Sequence, residues 1–331
     1  MRRLTLVLAL AVMGCGGGCS GSSKISSGTA GTTGMSGTAG TGSGGSTGAG
    51  GQVLASSGCP TFTPDDPWNA DVTNRAVNTT MTNGWNALYA GSNLHPDFTG
   101  PYGIPINVVP ANQPKVSVVW EVYADESDPG PYPLPGPSTV KLEGTTDATS
   151  CDGDCHLLVV QQGTCQLFEG WQCLYHSDGW HCSNGAKWDL AKYSTGQRPD
   201  GWTSADAAGL SIYAGLARYE EAMAGEITHA IRFTLPCSSD ARVPPATHQA
   251  PACASSNTLP MGARIRMKAS YDISGFGPVA QTFLRAFKKY GLILADNGSA
   301  IYFQSEENAN WPDEVNDLKR VPGSAFEVVN P

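Results

Sequence analysis

Apolar and polar residues alternate along most of the C-terminal part of the chain. In VSVVWEVYA the residues Val116, Val118, Trp120 and Val122 fall on one face, and in EITHAIRFTL Ile227, His229, Ile231 and Phe233 do the same. A period of two marks a strand with one buried face. HLLVVQQ and CQLFE read as short strands separated by Gly163 and Thr164, and LILAD reads as another. ARIRMKA predicts Ala263, Ile265 and Met267 inside, with Arg264, Arg266 and Lys268 in an outward row suited to surface ion pairs or to sulfate and uronate groups. The period changes at one place. Val279, Phe283, Ala286, Phe287 and Tyr290 recur at helical spacing, and the helix they predict stops at Gly291 behind Lys288 and Lys289. Loops such as DESDPGPYPLPGPS, which no helix tolerates, lie between these segments. The expected fold is mainly β: a β-sandwich or jelly-roll-like domain with one or two short helices and long loops.

The beginning of the chain follows another pattern. In MRRLTLVLALAVMGC, Arg2 and Arg3 precede an apolar run from Leu4 to Met13 that is too short to span a bilayer, which reads as a secretory signal. Val12, Met13 and Gly14, ahead of Cys15, resemble the lipobox of bacterial lipoproteins. That resemblance implies a signal peptide over residues 1–14, a lipidated Cys15 and anchorage to the bacterial cell envelope or outer membrane. Cys19, or cleavage without a lipid, is the weaker alternative. Residues 15–58 are almost wholly Gly, Ser, Thr and Ala, with Lys24 the only charge and SGTAGT occurring twice. Such a segment has too little apolar surface to fold, and a coil of some forty residues reaches roughly 35 Å. Residues 59–331 remain as one globular domain.

The formal net charge is −9 and no basic block occurs, so nucleic acid and anionic membrane surfaces are excluded as expected partners. Contact with a membrane is expected through the lipid alone, and the domain is read as a monomer. Beyond Cys15 and Cys19 the cysteines are Cys59, Cys151, Cys155, Cys165, Cys173, Cys182, Cys237 and Cys253. An even set in an exported chain implies up to four disulfides. Spacing leaves the pairing open, except that Cys237 with Cys253 would close the loop SSDARVPPATHQAPA.

Candidate chemistry centres on RPDGWTSADAAGL, where Asp206 sits among small residues behind Arg198 and Trp202. Thr203 to Asp206 also fit a capping box that would start a helical turn. Glycoside hydrolysis requires two carboxyl groups, and Glu169, on a strand face with Leu167 and Cys165, is the expected proton donor because burial raises its pKa. Asp206 is then the base or nucleophile. Arg198, Trp202, His156, His229 and Arg232 are the expected ligand-binding groups, with His229 open to a second reading as a hydrogen-bonded core histidine. Trp171, Trp180, Trp188 and Trp202, with Tyr175 and Tyr193, offer apolar faces with polar edges of the kind a pyranose needs, or else a core packed under disulfides. No cofactor and no metal site is expected. CDGDCHL offers calcium only through Asp152 and Asp154, and zinc only if Cys151 and Cys155 stay reduced. No Gly-x-Ser-x-Gly, Walker A, HExxH or dinucleotide fingerprint occurs.

The segments RPDGWTSADAAGL, EITHAIRFT, PMGARIRMKASYDI and KKYGLILADNGS together resemble a group of secreted bacterial proteins of unassigned activity. The resemblance implies one continuous domain and carries no catalytic residue. The sequence therefore predicts a lipid-anchored surface protein that binds polysaccharide and, if catalytic, cleaves it as a glycoside hydrolase. A non-catalytic glycan-binding or adhesion lipoprotein, and a polysaccharide lyase with His229 or a tyrosine as base and Arg232 meeting the uronate carboxylate, stand as alternatives.

Overall fold

The computed structural model describes residues 53–98, 102–250, 253, 255 and 257–331. The signal segment, Cys15, Cys19 and the tether through residue 52 lie outside the described residues. The described residues belong to one compact unit. Packed chain begins ahead of Cys59: Leu54 is buried, and Val53 pairs with Pro60.

The domain is mainly β. Among the described residues, thirteen strands form three sheets, with four helices between them. The largest sheet runs in the order β1 (His95–Asp97), β12 (Tyr302–Gln304), β9 (Ile231–Leu235), β11 (Leu292–Asn297), β10 (Arg264–Met267) and β13 (Phe326–Val329). Its pairings are mixed, with β1 parallel to β12 and β9 parallel to β11. A second sheet has the order β2 (Ile106–Val109), β4 (Leu157–Gln161), β5 (Gln166–Trp171) and β8 (Asn184–Asp189). The third has β3 (Val118–Trp120), β7 (Gly179–Cys182) and β6 (Leu174–His176).

The amphipathic stripe expected at Val279 to Tyr290 forms α4, Pro278–Lys289, with Pro278 at its first turn and both lysines in its last. Its buried Phe283 and Phe287 meet Phe303 of β12, and Phe287 also meets Phe326 of β13, so α4 covers one face of the largest sheet. The other helices are α1 (Thr79–Tyr89), α2 (Ile212–Gly215) and α3 (Tyr219–Ala224). Strand β4 is buried along its whole length because its two faces serve different cores. Leu158 and Val160 join the main core, while Leu157 and Val159 join a smaller one with Phe168, Tyr132 and Trp180.

Four disulfides brace the domain: Cys59–Cys165, Cys151–Cys155, Cys173–Cys182 and the expected Cys237–Cys253. The Cys151–Cys155 bridge removes both thiolates from any zinc set. Two local expectations are corrected. The 203–206 box starts no helix: Ser204 Oγ donates to the Leu210 carbonyl and Thr203 Oγ1 to that of Asp206, which closes a turn, and the next helix is capped by Ser211. Arg264 and Arg266 do not face outward. Arg264 donates to the carbonyls of Pro67 and Ala70, and Arg266 to Glu327 and the carbonyls of Val72, Thr73 and Arg75, so the two pin the segment from 67 to 75 against β10.

Candidate functional site

The face of the largest sheet opposite α4 floors a cavity of about 530 Å³. Its composition follows from register. His95 pairs with Tyr302 and Asp97 with Gln304, while Tyr302 pairs with Thr234, and paired residues share a face. Phe303 and Phe233, one residue out of phase, point into the core. Hence His95, Asp97, Tyr302, Gln304, Arg232 and Thr234 all line the cavity.

Asp296 joins them through an irregularity. Leu294 pairs with Phe233 but Asp296 pairs with Thr234, so β11 carries one extra residue, Ala295. Without that bulge, Asp296 would share the core face of Leu294; with it, the carboxyl turns into the cavity. The segment that raised the question of small residues explains how the bulge is tolerated. Ala208 donates its amide to the Ala295 carbonyl at 2.8 Å. Gly209, at φ +70, lies where a β-carbon would stand 2.5 Å from the Trp202 carbonyl and 2.0 Å from Thr247 Oγ1. Bulk in this segment would push it off the sheet.

Behind Asp296, Arg232 Nε and Nη2 donate to the two oxygens of Asp206 at 2.8 and 2.5 Å, both side chains being buried. Asp296 Oδ2 lies 3.9 Å from Arg232 Nη2. Burial, aided by the Asp206 charge and opposed by Arg232 and His156, pushes the Asp296 carboxyl up to about 8. His156 forms the opposite wall. Burial disfavours its charged form, but Glu143, 2.5 Å from Nδ1, outweighs burial and lifts the imidazole to about 9. Its Nε2 faces the Ala205 carbonyl at 3.2 Å. Burial, with Glu143 and against Lys319, pushes Asp97 up to about 6. His95 stacks on Tyr302 with ring centroids 3.9 Å apart, and burial lowers its pKa. His95 Nδ1, Asn297 Oδ1 and Gln304 Oε1 are buried with no protein hydrogen-bond partner, and all three residues line this cavity. Unpaired buried polar atoms concentrate at functional sites.

A smaller cavity of about 160 Å³ shares Asp154, Asp296 and Asn297 with the first and continues past Tyr123, Trp171 and His248. Trp171 Nε1 donates to Asp154 Oδ1 at 3.1 Å. Asp296 thus stands where two hollows meet, one walled by Tyr102 and Tyr302, the other by Tyr123 and Trp171.

The expected acid pair does not line these hollows. Glu169 is fully buried on the core face of β5, where its oxygens accept from Trp188 Nε1, Ser211 Oγ and the Tyr213 amide. Burial still pushes it up to about 7. Asp206 is fully buried and engaged by Arg232. Neither is reachable by a polymer, so the two serve as internal anchors. Of the expected ligand-binding groups, His156 and Arg232 line the main cavity. Arg198 is buried and bonded to Asp128 and to the carbonyls of Glu126 and Thr203, with its guanidinium 5.4 Å above the Trp202 ring. His229 Nδ1 donates to the Ala230 carbonyl and Nε2 faces Glu221 at 3.0 Å in the core. That burial removes His229 as a lyase base. Trp180 and Trp188 are core residues, and of the aromatic group only Trp171 lines the hollows. His95, Asp97 and Asp296 are absent from the sequence-based candidates, and Asp154 enters there only as a calcium ligand. An acid closing the apolar run LILAD was the available signal, since such a carboxyl is desolvated by its neighbours. Among the described residues, no group of three or more His, Cys, Asp or Glu side chains is placed to hold a metal ion. Comparison with protein-family models, curated proteins and solved structures finds no match to this chain.

Proposed function

We propose that the protein is an exported, lipid-anchored surface protein that binds polysaccharide along the two joined hollows and hydrolyses it at Asp296. The observation that carries this reading is the placement of the Asp296 carboxyl, whose pKa burial raises, at the junction of two hollows, each walled by aromatic rings. A glycosidic oxygen needs a proton donor of that kind, and the sugars on either side need apolar faces. Asp97, pushed up to about 6, is a second carboxyl on the same sheet face, with β12 and β9 between its strand and that of Asp296. Arg232 and His156 fix the floor and wall between them. Export and lipidation at Cys15 rest on the N-terminal sequence.

Incubation of the full chain with a panel of polysaccharides, read by new reducing ends, tests the assignment. Asp296→Asn lowers turnover by about 100-fold or more without lowering the melting temperature. Cleavage by this variant at the wild-type rate would overturn it. Saturable binding without new ends would leave the glycan-binding alternative.

A further inference from the structure

Charge on the walls of the hollows is uneven. Both cations are neutralised from behind: Arg232 by the two oxygens of Asp206, and His156 by Glu143. Asp97 and Asp154 have no such partner. Among the described residues, no Lys, Arg or His nitrogen lies within ion-pair distance of either carboxylate, Lys319 acting on Asp97 and His156 on Asp154 only at longer range. Asp154 is exposed at the seam shared by the two hollows, with one oxygen held by Trp171 Nε1 and the other free. The Cys151–Cys155 bridge closes a ring of five residues around it, and the chain passes directly into the buried His156. The carboxylate is therefore aimed at the seam by a covalent loop and an indole, and its position does not depend on a mobile tail.

Paired positive and unpaired negative charge favours a ligand that brings a cation and disfavours one that brings a carboxylate or sulfate, because a like charge placed against Asp97 and Asp154 is repelled at close range. We infer that Asp154, with Asp97, is a specificity determinant that reads a protonated amino group, so that the preferred substrate is a glycan carrying free amino sugars. This inference rests on the polysaccharide reading of the same site. The Asp154→Asn change isolates the charge: the amide oxygen still accepts from Trp171, and only the negative charge is lost.

The test is binding by calorimetry at about pH 6.5 and low salt. The full chain meets three oligosaccharides of equal length: a glucosamine oligomer with free amines, its N-acetylated counterpart and a uronate oligomer. The free amine binds roughly fivefold tighter than the N-acetylated form, a ratio suited to partly exposed ion pairs, and the uronate binds weakest. The ratio falls toward one in Asp154→Asn and again in Asp97→Asn, and it shrinks in wild type as salt is raised. The control Asp272→Asn, at an exposed acid remote from the hollows, keeps it. Equal affinity for the amine and its N-acetylated form overturns the inference and leaves the polysaccharide reading standing, as does a ratio that survives Asp154→Asn. Failure to bind any of the three, or any member of the polysaccharide panel, overturns both.

Discussion

Glu169 and Asp296 are two acids pushed far above the usual carboxylate range, to about 7 and about 8, and in both burial is the first cause. Their surroundings differ. Glu169 faces three protein donors inside the main core and lines neither hollow. The Asp296 side chain retains 26 % of its exposure, lines both hollows and has a cation 3.9 Å away that belongs to another acid. A raised pKa alone therefore does not mark a catalytic carboxyl. Access to a ligand, combined with an incomplete set of protein partners, separates the group that acts from the group that holds the fold.

Substitutions are expected to separate the two environments, beginning with the acid that stands between them. Asp206→Asn leaves the buried guanidinium of Arg232 without its bidentate partner and lowers stability by about 3–5 kcal/mol in denaturant unfolding. A loss below 1 kcal/mol would mean that Arg232 finds Asp296 instead, and would blur the contrast. Asp296→Asn has the opposite profile, costing about 2.7 kcal/mol or more in transition-state stabilisation and little in folding. Glu169→Gln turns an amide N–H toward one of the three donors, costs about 1–3 kcal/mol of stability at pH 8 and leaves turnover per folded molecule intact. A hundredfold fall in turnover there would return Glu169 to the reaction.

The pH dependences follow from the same shifts. Each of Glu169, Asp296 and His156 has its folded pKa raised, so each stabilises the fold fully below its unfolded value and loses that contribution as pH rises through about 7, 8 and 9 respectively. Thermal stability is therefore expected to decline from about pH 4.5 to 9, with Glu169→Gln flattening the segment below pH 7 and Asp296→Asn the segment below pH 8. The smallest effect is kinetic. The pH profile of kcat/KM is expected to fall through about 8 as Asp296 ionises, which initial rates on either side of that pH check.

Sequence patterning revealed what depends on period and spacing. The α4 stripe, the strands at LLVVQ, IRFTL and RIRM, and the Cys237–Cys253 bridge all follow from residues close in the chain. Helix α1 was hidden because TTMTNGWNALY is poor in strong helix formers and holds Gly84, whose missing β-carbon lets the Asn257 carbonyl approach to 2.9 Å of where it would stand. The site was hidden for a different reason. His95 and Asp97 reach it through a three-residue strand paired with β12 more than two hundred positions away, and Asp296 reaches it through a bulge that reverses the face its alternation implies. Arg264 and Arg266 were misjudged because alternation tells which face a residue occupies, and cannot tell whether another segment will cover that face.

The Cys59–Cys165 bridge ties the start of the packed chain to the turn ahead of β5. Among the described residues, 53–58 precede it on the N-terminal side, where Val53 pairs with Pro60. Tension arriving at Cys59 from the N-terminal side therefore divides between the covalent link into the four-stranded sheet and the backbone, which runs on into the segment from 67 to 75 held against β10.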